Sequence, residues 1–375
     1  MRTSILGLAA LAALAVGLDA ASGTPAPRLQ ATSFYAESAY DGAVLVQRAA
    51  MQPRPVASIT KLMTVLVALE HARPNDVVTV PKAATGIGES SLFLRPGERL
   101  TVRDLAIGAL VPSANDAAMA LALHVGGGSA ASFVALMNAK ARMLGLRDTR
   151  YANPHGLDQP GHVSSARDSV RLVQAALKQP LIRSASRLSS ATIAGRNVSS
   201  TDDLLTRDPR IFGGKTGHTD GAGWAQVAGA RARGVTVYAA VLGSPTRAAR
   251  NQDLLSLLRW ALAEYRPVAA VAAGRTYAWA RAPYGRAAVP LVALRSVARP
   301  VRSGHPLVEE IVAPVSVRLP VARRARLGEV RVYDAGRLVA RAPLVAAEAR
   351  AAPGAVGKVR WYATRTLHHL GGLVS

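Results

Sequence analysis

Around residue 266 the apolar residues of this chain change their spacing, and that change constrains the fold more than anything else in the sequence. Over residues 58–71, Leu62, Val65, Leu66 and Leu69 recur at three and four, the period that gives a helix one apolar face. Stretches 105–110, 117–124, 133–143 and 167–177 repeat the helical pattern, broken by Pro112 and by Gly126-Gly127-Gly128. Two continuous apolar runs follow, 224–231 and 235–242, joined by a turn ending in Gly234, and they predict a β-hairpin. A helix over 254–265 closes this part, and residues 43–46 behind Asp41-Gly42 predict an early strand. Strands at both ends with helices between them imply an α/β (α+β) domain over 32–265 whose sheet joins the two ends of the segment. Past Pro267 the texture becomes short valine-rich runs, 289–294, 311–317, 330–333 and 338–339, set apart by Pro, Gly and Asp. That is the pattern of a small all-β domain over 267–352. A chain of 375 residues has room for both cores.

The two ends read differently. Arg2, an apolar run over 5–18 and small residues over 20–23 have the order of a secretory signal peptide covering 1–23, too short to span a bilayer. A Pro/Ala-containing linker follows over 24–31. Beyond Pro353-Gly354, residues 356–375 predict an amphipathic helix with Val356, Val359, Ala363, Leu367, Leu370 and Val374 on one face and Lys358 and Arg365 on the other. Such a helix suits a membrane surface or the side of its own β-domain.

The net charge of +23 raises nucleic acid as a partner. Yet the basic residues are scattered and aromatics make up only 5%, too few for a base-stacking platform, so no nucleic acid is expected. An exported protein at the periplasm or the outer face of the cytoplasmic membrane, among anionic envelope polymers, explains the charge at least as well, and an arginine-biased proteome is the other alternative. The absence of cysteine excludes disulfides, thiol catalysis and thiolate metal sites. His155, His162 and the adjacent His368-His369 lack ligand spacing, so neither metal nor other cofactor is expected.

Three short motifs carry chemistry. Ser58-Ile59-Thr60-Lys61 opens the first long helix and sets a hydroxyl and an amine on one face, a turn apart. Lysine serves as a base there only if a dry, positively biased site lowers its pKa, and arginine could not replace it. Ser113-Ala114-Asn115 lies in a turn between helices. Lys215-Thr216-Gly217 lies on a predicted strand, where an ammonium and a hydroxyl can hold a carboxylate and the glycine admits a peptide backbone. Taken singly, each is also what a helix cap or a guarded strand edge provides. Together, in this order, they match the set used by class A β-lactamases and penicillin-binding proteins.

Around them stand 57–64 (ASITKLMT), 91–97 (SLFLRPG), 153–157 (NPHGL), 164–168 (SSARD) and 215–220 (KTGHTD). With these stretches the chain resembles the low-molecular-mass penicillin-binding proteins of the D-alanyl-D-alanine carboxypeptidase family, from residue 32 to 265 and more faintly beyond. The resemblance implies a penicillin-binding, β-lactamase-like domain of helices around an antiparallel sheet. It implies a cell-wall stem peptide ending in D-Ala-D-Ala as substrate and β-lactams as covalent inhibitors. Ser58 would be the nucleophile, Lys61 its base and Ser113 the proton relay. Asn115 would bind the substrate amide, Lys215, Thr216 and Arg250 its carboxylate, and the strand at Gly217-His218 with the Ser58 N–H would form the oxyanion hole. The central Ala114 departs from the glycine common there. A class A β-lactamase needs a glutamate between the second and third motifs, and none occurs between Glu98 and Glu264. An endopeptidase on the same scaffold and a non-catalytic wall-binding protein are the remaining alternatives.

Overall fold

The computed structural model describes residues 9–16 and 24–371. These form two compact units, one of residues 24–264, the other of 9–16 with 265–371. The first described element, β1 (Ala9–Val16), belongs to the second unit and is taken up with it.

In the unit of 24–264 the chain runs β2 (Ser33–Ser38), β3 (Val44–Arg48), α1 (Thr60–His71), β4 (Val77–Thr79), β5 (Arg99–Thr101), α2 (Val102–Leu110), α3 (Asn115–Val125) and α4 (Ala130–Met143). It continues through α5 (Ala166–Ala176), α6 (Pro180–Ala185), β6 (Ser190–Ile193), β7 (Arg196–Ser199), β8 (Ile211–Thr219), β9 (Gly223–Ala232), β10 (Val235–Ser244) and α7 (Arg247–Ala263). The five-stranded antiparallel sheet has the order β3-β2-β10-β9-β8, so strands from both ends of the segment share it. β10 is buried on both faces. Ala240 and Leu242 join the helical core of α1, α2, α3 and α5, while Val237, Ala239 and Val241 point the other way. That double burial is why residues 235–242 read as an unbroken apolar run.

Helix starts follow local chemistry. Thr101 and Asp104 form a reciprocal capping box on α2, Ser165 caps α5, and Thr246 caps α7. The Thr246 cap begins α7 seven residues before the expected Leu254, because its first turns bury Arg250, Asn251 and Asp253 and so carry no apolar period. Strand β2 showed no signal for a related reason: its Ser33 and Ser38 are as buried as its apolar residues, which erases the alternation. The linker segment over 24–31 is anchored to α7. Asp253 accepts from Gln30 N at 3.0 Å and Ala31 N at 2.7 Å, and Trp260 Nε1 donates to the Thr24 carbonyl at 2.7 Å.

The second unit adds β11 (Tyr265–Val271), β12 (Thr276–Ala280), β13 (Val289–Ala293), β14 (Val297–Arg302), β15 (Leu307–Pro314), β16 (Arg326–Asp334), β17 (Arg337–Ala346) and α8 (Ala355–Gly371). A six-stranded sheet, β1-β15-β16-β17-β13-β12, lies beside the β11-β14 pair. Alternate residues such as Leu307, Ile311, Val330, Val332, Ala342 and Leu344 fill the core. Part of the signal-like run, β1, pairs antiparallel with β15, an apolar stretch satisfying its backbone groups on an open sheet edge. Arg2 and residues 20–23 lie outside the described residues. On α8, Trp361 meets Tyr284 edge-on at 5.5 Å, while Val356 and Val359 are exposed. The side chains of Leu367 and Leu370, and all of Val374, lie outside the described part.

Candidate active site

Ser58 sits in a one-turn 3-10 segment, Ala57–Ile59, that leads into α1. Its side chain caps nothing. It accepts instead from Lys61 Nζ at 2.6 Å, and the same amine donates to the His155 carbonyl at 2.8 Å. Ala57 holds a left-handed φ of 48°, a conformation that costs a non-glycine residue of order 1 kcal/mol or more and is kept only where surroundings enforce it. Two glycines supply the enforcement. A Cβ on Gly156 would lie 2.1 Å from the Ala57 carbonyl oxygen, and one on Gly217 would lie 2.8 Å from the Val56 oxygen and 3.1 Å from Ser58 N. The loop after residue 152 and strand β8 therefore press backbone to backbone against the serine turn.

Ser113 is the second strained residue, at φ 67° between α2 and α3. The helix that follows takes no side-chain cap from this turn, which frees the hydroxyl. Lys215 Nζ, reaching across from β8, donates to Ser113 Oγ at 2.9 Å and to its neighbour's carbonyl, Thr216 O, at 3.0 Å. Asn115 Nδ2 donates to Gly88 O at 2.7 Å, and its backbone N–H to Ser90 O at 2.8 Å. Thr216 and Thr201 share a 2.6 Å hydroxyl contact. Ser58, Ser113, Thr216, Gly217, His218 and Arg250 line one cavity of about 230 Å³, with buried Lys61, Lys215 and Asn115 standing behind its walls.

Both lysines are buried without a carboxylate in contact. Burial, then the charge of Lys215, holds Lys61 well below the ordinary lysine range, against the opposing pull of Glu89 and Asp116. Burial lowers Lys215 to about 7, with Asp202 raising it and Arg250 lowering it. Lys61 is thus poised to be a free amine beside a serine hydroxyl, which is what a general base for acyl transfer requires. Arg250 is buried too and lowered to about 10 by desolvation. Its Nε and Nη2 bond Asn251 Oδ1, and the guanidinium carbon stands 5.5 Å over Trp224, whose ring also stacks on His218 at 4.1 Å.

The three motifs brought out seven of these residues, the family resemblance added His218 and Arg250, and others were missed. Thr201, Trp224 and Arg247 line the cavity, as do Glu89 and Ser90. Asp202, buried behind Thr201, accepts from Leu204 N at 2.9 Å and Gln226 Nε2 at 2.7 Å through Oδ1, while its Oδ2 has no partner. His162 is structural. Its Nδ1 accepts from Ala152 N at 3.1 Å, so Nε2 carries the proton to Thr60 Oγ1 at 2.8 Å, and burial lowers its pKa to about 4. Among the described residues no group of three metal-ligating side chains gathers.

The chain that carries this arrangement is similar to known proteins. The sequence profile described as D-alanyl-D-alanine carboxypeptidase covers residues 20–246. The chain belongs to this carboxypeptidase family. D-alanyl-D-alanine carboxypeptidase DacD of Salmonella typhimurium is 33% identical over 356 residues, 89% of this chain and 90% of its own length. The Escherichia coli DacD is 32% identical over 339 residues, 86% of this chain and 87% of its own. In solved structures, penicillin binding protein 5 from Haemophilus influenzae superposes with a TM-score of 0.63 at 27% identity, covering 88% of this chain and all (100%) of that one. The Streptomyces K15 DD-transpeptidase gives 0.60 at 30% identity over 64% of this chain and 100% of its own. The carboxypeptidase family thus shares the penicillin-binding fold described above, including, in the longer relatives, the stretch of chain that forms the β-unit.

Proposed function

We propose that this protein is a serine D-Ala-D-Ala carboxypeptidase that removes the terminal D-alanine from peptidoglycan stem peptides. The single observation that carries the reading is the 2.6 Å contact from buried Lys61 Nζ to Ser58 Oγ, on the wall of the cavity that Lys215 and Ser113 also serve. Lys61, as a free amine, takes the Ser58 proton while Oγ attacks the carbonyl joining the last two D-alanines. The resulting oxyanion forms against the Ser58 N–H and the β8 backbone at His218, which Gly217 lets approach. Lys215 donates to Ser113 Oγ, so the Ser113 hydroxyl proton is free for the leaving amine as the C–N bond breaks, and the proton that Lys61 took replaces it on Ser113. Lys215, Thr216 and Arg250 hold the terminal carboxylate, and Asn115 the substrate amide. Water then attacks the ester carbonyl, Ser58 regains its proton and the shortened peptide leaves. A β-lactam, whose ring amide takes the place of the scissile bond, acylates the same oxygen.

The N-terminal segment serves as an export signal, supported by its charged, apolar, small-residue order, and the site of action is the periplasm or the outer membrane face. Helix α8 rests on the membrane surface through the face bearing exposed Val356 and Val359. Replacing Ser58 by alanine is expected to abolish labelling by fluorescent penicillin and D-alanine release from a pentapeptide. Retained turnover would remove Ser58 from the mechanism. Incubation with a cross-linked stem dimer separates this reading from an endopeptidase: uncut dimer beside trimmed pentapeptide is the expected result.

A further inference from the structure

The cleft contains a carboxylate that the reaction does not use. Glu89 lines the cavity with Ser58 and Ser113, and no other lining side chain is acidic. In a chain with 46 basic and 23 acidic residues, an acid at this spot is unexpected. The acids around it are engaged. Asp116 accepts from Ser91 Oγ at 2.6 Å and from Leu92 N and Leu94 N at 3.0 and 3.1 Å, Asp202 from Gln226, and Asp203 from Arg247 and Asn251. Among the described residues, none makes a hydrogen bond or ion pair to the Glu89 carboxylate.

Its backbone is built rather than slack. Glu89 has φ 65°, in the left-handed region that a glutamate enters at a cost. Asn115 holds both neighbours, Gly88 through its side chain at 2.7 Å and Ser90 through its backbone at 2.8 Å. A residue already assigned to the site therefore brackets the strained position, and the Glu89 side chain stands solvent-exposed at the cavity wall. The charge also works against catalysis, since it favours the protonated form of Lys61, which must be neutral to act. An exposed acid on the wall of the reaction cavity, on a backbone that its neighbours hold, is open to a cation on the substrate.

We propose that Glu89 is a specificity-determining residue that binds a free ammonium on the acyl side of the substrate. The cleft is then bipolar. Lys215 and Arg250 take the carboxylate beyond the scissile bond, and Glu89 takes a cation before it. The substrate class is a peptide whose residue ahead of the two D-alanines carries an unmodified side-chain amine. A cross-linked stem, in which that amine is acylated, has lost the charge Glu89 recognises. The inference rests on the carboxypeptidase reading and gives it a reason to favour uncross-linked strands.

The test compares two tripeptides ending in D-Ala-D-Ala that differ only in whether the lysine before them has a free or an acetylated ε-amine. The wild-type protein is expected to prefer the free amine by about two- to fivefold in kcat/KM, the range of a solvated ion pair. Raising the ionic strength should shrink that preference. In E89Q the ratio should fall to about 1, and in E89K the acetylated peptide should become the better one, with melting temperatures reporting on the fold. Equal turnover of both peptides by the wild type overturns this inference and leaves the carboxypeptidase reading standing. No D-alanine from either peptide overturns that reading as well.

Discussion

The β-rich unit and the active site of the carboxypeptidase unit bury charge in opposite ways. In the β-rich unit, buried Glu309 receives both nitrogens of a single arginine, Arg275 Nη1 at 2.7 Å and Nη2 at 3.0 Å, and buried Asp334 faces His305 at 3.3 Å. In the carboxypeptidase unit, Lys61 and Lys215 are buried as deeply, yet their bonds go to serine hydroxyls and backbone carbonyls. A buried charge with a matched partner is held by that partner, and removing the partner is strongly destabilising. One without such a partner is pushed toward neutrality, which costs stability but creates a base at ordinary pH. Pairing, more than burial, separates structural ionisable groups from chemical ones here.

The sharpest way to break that contrast is to remove the charge at each place and watch stability and activity part company. Lys61→Met keeps the length of the side chain and deletes the amine. Acylation by fluorescent penicillin should fall by about 10³-fold, the scale of a lost general base. The melting temperature should hold or rise, since a buried, poorly matched amine is replaced by an apolar group of similar volume. A protein that lost both activity and stability would mean that Lys61 is part of the framework.

Arg275→Met makes the complementary change and should act the other way. Glu309 would be left buried without its fork, and stability should drop by about 1–2 kcal/mol, discounted because the arginine itself is half-exposed. Thermal unfolding measures the drop, while kcat/KM for D-alanine release should stay at the wild-type value. A loss of activity at full stability would break the division between the two units.

The contrast also explains how much could be read without coordinates. Motifs held by helix geometry were legible: Ser58 and Lys61 are a turn apart because of their spacing. So was the hairpin of β9 and β10, because a doubly buried strand shows as a continuous apolar run. Hidden were the features made by distant backbone. The left-handed Ala57 and Ser113 are enforced by Gly156, Gly217 and the strand-borne Lys215, which no local pattern announces. Glu89 and Asp202 sit in irregular segments where short polar runs look like any loop. Buried polar residues at the start of α7 and the ends of β2 hid those elements, since periodicity marks only apolar faces.

Asp202 tests the rule at its edge, because its Oδ1 is bonded and its buried Oδ2 is not. Gln226, which supplies the bond, is the register partner of Thr216 on the adjacent strand, so the carboxylate lies under the strand that carries Lys215. The charged groups acting on it are Lys215 from β8 and Arg250 from α7, and burial raises its own pKa. In return Asp202 holds Lys215 up against desolvation, to about 7. If protonated Lys215 steers the substrate carboxylate, kcat/KM climbs as Lys61 loses its proton and declines as pH passes Lys215's value. Asp202→Asn keeps the shape and removes the field, so Lys215 gives up its proton sooner and the alkaline limb moves to lower pH. Arg250, at about 10, stays charged throughout and cannot cause that movement. The expected loss is about three- to tenfold at pH near 7, and smaller a unit lower, for a charge interaction in a site of intermediate dielectric. An unmoved limb would mean that Asp202 is already neutral in the folded protein and serves only to orient Gln226.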